Sequence, residues 1–405
     1  MSLRYLDEGD PDEGDDEDTV AVTTKNTGRG SRPPRTALVL AGGGARGAYQ
    51  AGVLGGLAEL GFLEPGRSGL DVFCGSSAGA INSVMLAAHA DRLTDGVEAL
   101  KKLWSGVHAK NVFRTDVRSI GGTGIKWAWD LTLGGAIGGV TPKSLLDTSP
   151  LRAFLDAHVP FSRLSTQIEQ GALHALAVSA TDLTTADGML FLNGQPDIKL
   201  WERRRWEIRK TEIRVDHILA SSAIPIFFPS VEVDGRYYGD GAVRNTSPLS
   251  PAINLGAERI LAISVREPSS AARTATQPGP PTIAQIAGVL LDAVMLDAIE
   301  VDLDHSQRVN RAAVMYPVDG RDAQFRPVDV LWIQPTADFT ALAREFSHQI
   351  PAAVRYVMRG LGSEEAISEL TSYLLFDAAF CSRLIEIGRA DVLASRAAVE
   401  AFFTA

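Results

Sequence analysis

The stretch LDVFCGSSAGAIN, residues 70–82, joins a short apolar run to a glycine-serine turn and then to a helical pattern. Its first six residues predict a buried strand, and residues 77–90 predict a helix. Between them, Gly75-Ser76-Ser77-Ala78-Gly79 fits G-x-S-x-G, a sharp turn whose small residues expose the central serine. Because a serine at a helix start is more commonly a cap, the motif alone does not decide its role. Its position predicts Ser77 as a nucleophile, with Ser76 as the lesser candidate.

A glycine-rich loop follows an earlier strand in the same way. TALVLAG (36–42) predicts a buried strand and GARGAYQAGVLGGLAELG (44–61) a helix, and the glycines between them satisfy the G-x-G-x-x-G pattern of dinucleotide-binding proteins. That pattern also needs an acidic residue at the end of the second strand, where this chain has glycine and two serines. The other interpretation is an oxyanion hole, in which backbone N–H groups and the helix dipole converge on a developing negative charge. We favour this oxyanion hole, formed by Gly42, Gly43, Gly44, Ala45, Arg46 and Gly47.

Alternating strands and helices define the fold class. Two strand–helix units with near-continuous apolar strands predict an α/β fold with a mostly parallel central sheet, flanked by helices on both faces. Further helices are predicted over 94–107, 144–158, 199–211, 213–222 and 283–311, and further strands over 174–183, 188–194, 258–265 and 330–335. The chain after residue 335 is predicted to add C-terminal helices.

An acidic segment near the N-terminus dominates the net charge of −10. LDEGDPDEGDDEDTV (6–20) holds nine carboxylates and few apolar residues, so it repels itself and cannot bury enough surface to fold. We therefore expect a disordered acidic tail over 1–34, a catalytic core over 35–268, and a region over 269–405 that completes the sheet and adds helices. The rest of the chain is close to neutral, which argues against a nucleic-acid partner.

The sequence shows neither a signal peptide nor a membrane span. The most apolar stretch, 283–303, is interrupted by four acidic residues. Cys74 and Cys381 are far apart and lack metal-binding spacing, which predicts buried thiols in a reducing compartment and no structural metal. We expect a cytoplasmic protein.

A serine nucleophile needs a proton acceptor, and the histidines offer no clear one. None of the seven lies in a glycine-rich or turn context, and in the chain order of the α/β-hydrolases only His305 and His348 could complete a Ser-His-Asp triad. Asp240 is better placed, because glycines on both sides let its carboxylate approach another backbone closely. An Asp-Gly pair is also a common hairpin turn, so the residues alone leave the role of Asp240 open.

Three motifs occur in a fixed order along the chain. They are Gly42-Gly43-Gly44-Ala45-Arg46-Gly47, Gly75-Ser76-Ser77-Ala78-Gly79 and Asp240-Gly241-Ala242, and the apolar segment LASSAIPIFFP (219–229) precedes the last of them. In this order they resemble the patatin-like phospholipase family over residues 36–255. The third motif ends in Ala242 where many members have glycine, a small departure.

The resemblance implies a three-layer α/β/α hydrolase that needs neither a cofactor nor a metal. Ser77 would attack a fatty-acyl ester of a phospholipid or lysophospholipid, Asp240 would serve as the base of a Ser–Asp dyad, and the glycine loop would hold the oxyanion. Two other interpretations stay open at this point. One is an α/β-hydrolase esterase with a histidine triad, and the other is a non-catalytic binding or scaffold protein that retains the site.

A lipid substrate requires an apolar trough and a way to meet a membrane. We expect the segment before the acid motif, held extended by its prolines, to line the trough, with ordinary core packing as the alternative: Ile224, Ile226, Phe227 and Phe228. The glycine-rich stretch 121–140, with Trp127 and Trp129, predicts a lid, and LWERRRWEIRK (200–210) predicts a basic helix for anionic lipid surfaces. These features predict peripheral membrane contact, and the sequence does not exclude a homo-oligomer.

Overall fold

Ten strands form one sheet in the computed structural model of the chain, which describes residues 21–23, 35–114, 144–266, 298–315, 326–351, 355 and 370–404. The strands are β1 (Ala21–Thr23), β2 (Thr36–Leu40), β3 (Leu70–Gly75), β4 (Ala175–Asp182), β5 (Gly188–Gly194), β6 (Trp206–Lys210), β7 (Val231–Val233), β8 (Arg236–Asp240), β9 (Arg259–Ile263) and β10 (Asp329–Ile333). Their order is β1-β10-β9-β2-β3-β4-β5-β6, and β8, which pairs with β7, also pairs with β4. Every neighbouring pair from β10 to β4 is parallel, which confirms the mostly parallel central sheet.

Helices pack on both faces of this sheet. They are α1 (Gly47–Glu59), α2 (Ala78–Ala87), α3 (Leu93–Ser105), α4 (Ala109–Val112), α5 (Ser149–His158), α6 (Arg163–Glu169), α7 (Val215–Ser221), α8 (Ser250–Asn254), α9 (Ala298–Met315), α10 (Phe339–Glu345), α11 (Ala378–Ala394) and α12 (Arg396–Thr404). Along β2, Leu38 and Leu40 join the core that contains α1 and α2, whereas Ala37 and Val39 join the core beneath α8 and α9. Burial on both faces explains why the strand is apolar from Ala37 to Leu40.

The predicted strands at 36–42, 70–75, 174–183, 188–194, 258–265 and 330–335 all form, within two residues at each end. Helices also form within the segments predicted at 144–158 and 213–222, and the helix predicted at 94–107 begins one residue earlier, at Leu93. Of the helix predicted over 283–311, the described part is α9, and the earlier residues lie outside the described chain.

The helix predicted over 199–211 is wrong, because Trp206–Lys210 forms β6, a strand parallel to β5. Trp206 and Ile208 alternate with outward polar residues and pack against the core beneath α8 and α9. Pairing with β5 and burial of these two side chains outweigh the helix propensity of the charged residues between and after them.

Part of the predicted disordered tail also takes up structure, which corrects the prediction at those positions. Ala21–Thr23 forms β1, antiparallel to β10. Residues 1–20 and 24–34 lie outside the described chain. A prediction of disorder from charge alone misses such a short strand, because three residues that pair with an existing sheet edge need little apolar surface of their own.

The position of β8 brings the acid motif beside the serine turn. Gly75, the last residue of β3, pairs with Val178 of β4, and two residues further along β4, Ala180 pairs with Asp240 at the end of β8. Because β5 pairs along the other edge of β4, β3 and β8 lie on the same edge. The ends of β3 and β8 therefore meet at the point where α2 begins.

Candidate active site

Ser77 stands on a strained turn between β3 and α2. Its backbone has φ 54° and ψ −126°, a left-handed conformation that is rare for a residue with a side chain. Its amide donates to Oγ of Ser221 at 3.0 Å, and its carbonyl accepts from Ala80 at 2.9 Å. The turn is therefore held from both sides, as a nucleophile elbow requires.

The two glycines that flank this turn are required by space. A Cβ at Gly75 would overlap the carbonyl oxygen of Gly79, and a Cβ at Gly79 would overlap the carbonyl oxygen of Leu40 on the neighbouring strand. Ala78 is buried as well. The small residues of the motif thus let α2 start directly against the ends of β2 and β3.

Asp240 is fully buried where β8 ends. Its Oδ1 accepts from the amide of Ala242 at 2.9 Å, and its amide donates to Ala223 O at 2.9 Å. Burial raises the pKa of the Asp240 carboxyl to about 7, opposed by interaction with the Ser77 hydroxyl and by the Ala242 amide. Oδ2 has no donor in close hydrogen-bonding geometry among the described residues, so it is the oxygen available to accept a proton. A Cβ at Gly241 would overlap Ser179 O, which explains the glycine after the acid.

The glycine loop lies directly against this pair. A Cβ at Gly42 would stand 3.0 Å from Ser77 Cβ and 3.5 Å from Ala242 Cβ. The structure thus brings the three sequence motifs together at the C-terminal edge of the sheet, where ligands bind in such folds. Ala242 adds only a methyl group at this junction, so its departure from glycine is accommodated.

Four backbone amides of the loop have no acceptor among the described residues. Backbone N–H groups of Gly42, Gly43, Gly44 and Ala45 donate to no acceptor in the described part of the chain, whereas Arg46 N bonds to Gly43 O at 3.1 Å. Gly44 has φ +55°, which turns the loop. Unpaired buried amides are costly unless a ligand satisfies them.

A buried polar network behind the loop was not predicted from the sequence. Gln50 Nε2 donates to Ala41 O at 2.9 Å, and Asn82 Nδ2 donates to Gln50 Oε1 at 2.8 Å and to Gly47 O at 3.0 Å. Trp104 Nε1 donates to Asn82 Oδ1 at 2.8 Å. The signal was present as two isolated polar residues on otherwise apolar helices, which marks satisfied buried partners. The network ties α1, α2 and α3 to the loop.

The side chain of Arg46 contacts residues of the C-terminal part of the chain. Its Nε donates to Ser372 Oγ at 2.9 Å and its Nη2 to Thr340 Oγ1 at 3.2 Å. Its guanidinium carbon lies 4.4 Å from the Tyr373 ring centroid. Arg46 therefore bonds the loop to the C-terminal part of the chain.

The predicted acyl-binding segment forms a turn, so the expectation of an extended segment is wrong. Phe228 N bonds to Ile224 O at 2.8 Å, one helical turn back, which brings the ends of the segment together. Ile224, Phe227 and Phe228 are buried in the core, whereas Ile226 is 62% exposed. Ile226 has φ 72°, a strained value for a β-branched residue, so it projects outward from the turn.

The two lipid-surface candidates have different outcomes. The stretch 121–140, with Trp127 and Trp129, lies outside the described residues. In 200–210 two of the four arginines pair with acids: Arg205 with Asp187 at 2.7 Å, and Arg209 with Glu207 at 2.7 Å. The charge of these two arginines is therefore balanced by acids of the protein itself.

The two histidines of the alternative triad have surroundings unlike those of Asp240. His305 is exposed on α9, and His348 is exposed in the turn after α10, where its ring contacts Glu345 O and Gln349. No histidine affects the pKa of Asp240. Cys74 and Cys381 are both buried and unpaired, as predicted.

The described residues contain neither a metal-binding cluster nor a membrane-spanning helix. They hold no group of three or more histidine, cysteine or acidic side chains arranged for a metal ion. Within those ranges, no helix is long and apolar enough to cross a membrane.

A buried serine on a strained turn thus lies beside a buried aspartate and a glycine loop, at one edge of an α/β sheet. The sequence profile described as patatin-like phospholipase matches residues 38–253, more than half of the chain. The chain therefore belongs to the patatin-like phospholipase family.

Similar proteins occur among curated sequences and solved structures. Uncharacterised NTE family proteins of Mycobacterium bovis and Mycobacterium tuberculosis are each 29% identical over 238 residues, which cover 58% of this chain and 51% of each relative. The chain thus spans about half the length of the curated relatives it matches. VipD from Legionella pneumophila is similar with a TM-score of 0.33 and 14% identity, over 81% of this chain and 67% of that chain. Human GIVD cytosolic phospholipase A2 is similar with a TM-score of 0.38 and 12% identity, over 91% and 60%.

Proposed function

We propose that this chain hydrolyses fatty-acyl esters of phospholipids or lysophospholipids through a Ser77–Asp240 dyad and an oxyanion hole in the glycine loop. The observation that carries the proposal is the convergence of Ser77, Asp240 and the loop amides at one point of the sheet edge. Membership of the patatin-like phospholipase family supports the lipid substrate class.

In the acylation step, Asp240 Oδ2 accepts the proton of Ser77 Oγ as that oxygen attacks the ester carbonyl carbon. The carbonyl oxygen becomes negative, and the amides of Gly42, Gly43 and Gly44 stabilise it without reorganisation. When the carbon–oxygen bond to the glycerol side breaks, Asp240 returns the proton to the leaving alcohol. The product of this step is an acyl ester of Ser77.

In the deacylation step, Asp240 accepts a proton from water, whose oxygen attacks the acyl-enzyme carbonyl. Collapse of the second tetrahedral intermediate breaks the bond to Ser77 Oγ, and the proton on Asp240 passes to the serine oxygen. A carboxyl pKa of about 7 suits both directions, because the group is partly ionised and partly protonated at neutral pH. A histidine is not needed for this cycle.

Ile226 supports a contact between the site and a lipid surface. It is exposed on the turn between Ser221, which bonds the nucleophile amide, and Asp240, and the remaining apolar residues of the segment are buried beneath it. An exposed apolar side chain on a turn beside a site is suited to partition into a membrane interface. The peripheral membrane contact is therefore part of the proposal.

The proposal is tested by intact-protein mass spectrometry after reaction with a long-chain alkyl fluorophosphonate. We expect one phosphonyl adduct on the wild-type chain, loss of the adduct in Ser77→Ala, and retention of it in Ser76→Ala, which removes the neighbouring hydroxyl. Asp240→Asn should label far more slowly. Release of fatty acid from phospholipid and lysophospholipid vesicles then identifies the substrate.

Three outcomes would contradict the proposal. A Ser77→Ala variant that keeps both adduct and hydrolysis would remove Ser77 as nucleophile. An unlabelled, inactive wild-type chain, also in the presence of anionic vesicles, would favour a binding or scaffold protein. Retained labelling in Asp240→Asn, with loss in a histidine variant, would favour a triad.

A further inference from the structure

The guanidinium of Arg46 is buried where the glycine loop enters α1, with 2% of the residue exposed. Its partners Ser372, Thr340 and the ring of Tyr373 are all neutral. Ser372 lies 326 positions further along the chain. Burying a cation among neutral groups costs free energy, which the hydrogen bonds and the ring contact offset. The chain thus uses a costly contact to connect the loop to a distant segment.

The same distant segment also touches the loop through its backbone. A Cβ at Gly44 would overlap the carbonyl oxygen of Tyr373, and the positive φ of Gly44 further restricts it to glycine. Ser372 and Tyr373 therefore contact the loop at two points, the side chain of Arg46 and the Cα of Gly44. Two contacts on either side of Ala45 restrain the loop against rotation.

The C-terminal helix that follows this segment packs closely on α1. Cβ atoms at Gly52 and Gly56 of α1, and at Gly388 of α11, would each overlap atoms of the other helix. Tyr49 on α1 also donates to Asp391 Oδ2 on α11 at 3.0 Å. Because glycines on both helices allow the backbones to approach closely, α11 fixes the axis of the helix that begins at the loop.

We propose that Ser372 and Tyr373 are positioning residues that hold Arg46 and Gly44, and thereby aim the Gly42–Gly44 amides at the oxyanion. This inference rests on the proposed function. Both residues lie outside residues 38–253, the part that matches the family. The C-terminal region then contributes to catalysis by orienting the loop amides.

The physical reason is the freedom of the loop itself. Three consecutive glycines lose more conformational entropy on ordering than other residues, so a loop of this kind needs restraints to stay in one conformation. An oxyanion hole accelerates a reaction only when its donors are already oriented. Restraints at Gly44 and Arg46, made by Ser372 and Tyr373, supply this orientation.

The test compares Ser372→Ala, Tyr373→Leu, Arg46→Met and Arg46→Lys with a matched control, Arg389→Met. The control removes an exposed ion pair between the same two helices, in which Arg389 contacts Glu59 at 2.7 and 2.8 Å, far from the loop. Two readouts are measured for each folded variant. One is kcat and KM on a short water-soluble acyl ester, and the other is hydrogen–deuterium exchange of peptides that cover residues 41–49.

We expect Ser372→Ala and Tyr373→Leu to lower kcat about 10- to 100-fold, with KM within about twofold of wild type. Exchange of the loop amides should be faster in both variants and unchanged in Arg389→Met. Arg46→Lys, which keeps the charge but not the forked donor geometry, should lie between wild type and Arg46→Met. Should Arg46→Met fail to fold, Ser372→Ala and Tyr373→Leu still test whether the C-terminal segment positions the loop.

Unchanged loop exchange in both Ser372→Ala and Tyr373→Leu would overturn the inference. Faster exchange with an unchanged kcat would also overturn it, because the restraint would then not serve the oxyanion. A wild-type chain that hydrolyses no ester would defeat the proposed function instead, and in that case the exchange of the loop amides alone supports or overturns the restraint.

Discussion

The amide of Ser77 donates a 3.0 Å hydrogen bond to Oγ of Ser221, a residue 144 positions further along the chain. Ser221 is the last residue of α7, and two residues later Ala223 O accepts the amide of Asp240 at 2.9 Å. The end of α7 therefore contacts both residues of the proposed dyad. Their relative position depends on this helix end as well as on the pairing of β4 with β3 and β8.

Replacing Ser221 with alanine should loosen the serine turn. The substitution leaves the buried amide of Ser77 without an acceptor, which should lower the free energy of unfolding by about 1–3 kcal/mol. It should also slow phosphonylation of Ser77, because the strained turn loses one of its restraints. Urea unfolding and the rate of adduct formation measure the two effects.

The adjacent serine provides a control for this variant. Ser222 Oγ is buried and has no hydrogen-bond partner among the described residues, so Ser222→Ala should leave stability and phosphonylation near wild type. Equal losses in the two variants would show that any change at this helix end is harmful, and would contradict a specific role of the Ser221–Ser77 bond.

The activity should follow the ionisation of Asp240. Only the carboxylate can accept the serine proton, and burial raises its pKa to about 7. We therefore expect kcat/KM to rise with pH and to reach half of its upper plateau near pH 7. A profile that stays flat from about pH 5 to about pH 9 would be incompatible with Asp240 as a base of raised pKa.

The same ionisation should make the folded chain less stable as pH rises. The pKa of Asp240 is about 7 in the folded chain against an ordinary value of 3.8, so between these values the folded state binds more protons than the unfolded state. The stabilising contribution of the protonated group is complete below 3.8 and is lost as pH rises through about 7. Asp240→Asn should abolish this part of the pH dependence. The melting temperature of the variant minus that of wild type should therefore increase as the pH is raised from acid to pH 8, as a thermal scan measures.

Much of the site could be predicted because its geometry depends on small residues. Gly75, Gly79 and Gly241 each stand where a Cβ would overlap a backbone carbonyl. The glycines of the sequence motifs therefore indicate these close backbone contacts. The sheet was predictable for a similar reason. Strands buried on both faces are apolar along nearly their whole length, as β2 is from Ala37 to Leu40, and are bounded by turn residues.

Other features depend on contacts that no local pattern contains. The direction of the Arg46 side chain is decided by hydroxyls more than 290 positions away, at Thr340 and Ser372, so the loop motif alone could not reveal it. Likewise, β6 forms because β5 offers a strand edge and the core accepts Trp206 and Ile208. Local propensity favoured a helix there, and long-range pairing decided otherwise.

The histidines of the alternative triad should be dispensable. His305 and His348 are exposed, and neither affects the Asp240 pKa, so His305→Ala and His348→Ala should each retain hydrolysis within about twofold of wild type. The measurement is kcat/KM on the same short ester used for the loop variants. Loss of activity in either variant, with an intact fold by circular dichroism, would favour the triad over the dyad.

A last prediction compares two glycines of α1 that face different surroundings. A Cβ at Gly52 would overlap the carbonyl oxygen of Ile385 on α11, whereas a Cβ at Gly55 meets Lys101 Cδ at 3.5 Å, an ordinary contact with a flexible side chain. Gly52→Ala should therefore force the helices apart and cost about 1–3 kcal/mol of unfolding free energy. Gly55→Ala should be neutral or stabilise by up to about 1 kcal/mol, because alanine favours the helix. Urea denaturation of both variants checks the difference, and equal stabilities would refute the close approach of α1 and α11.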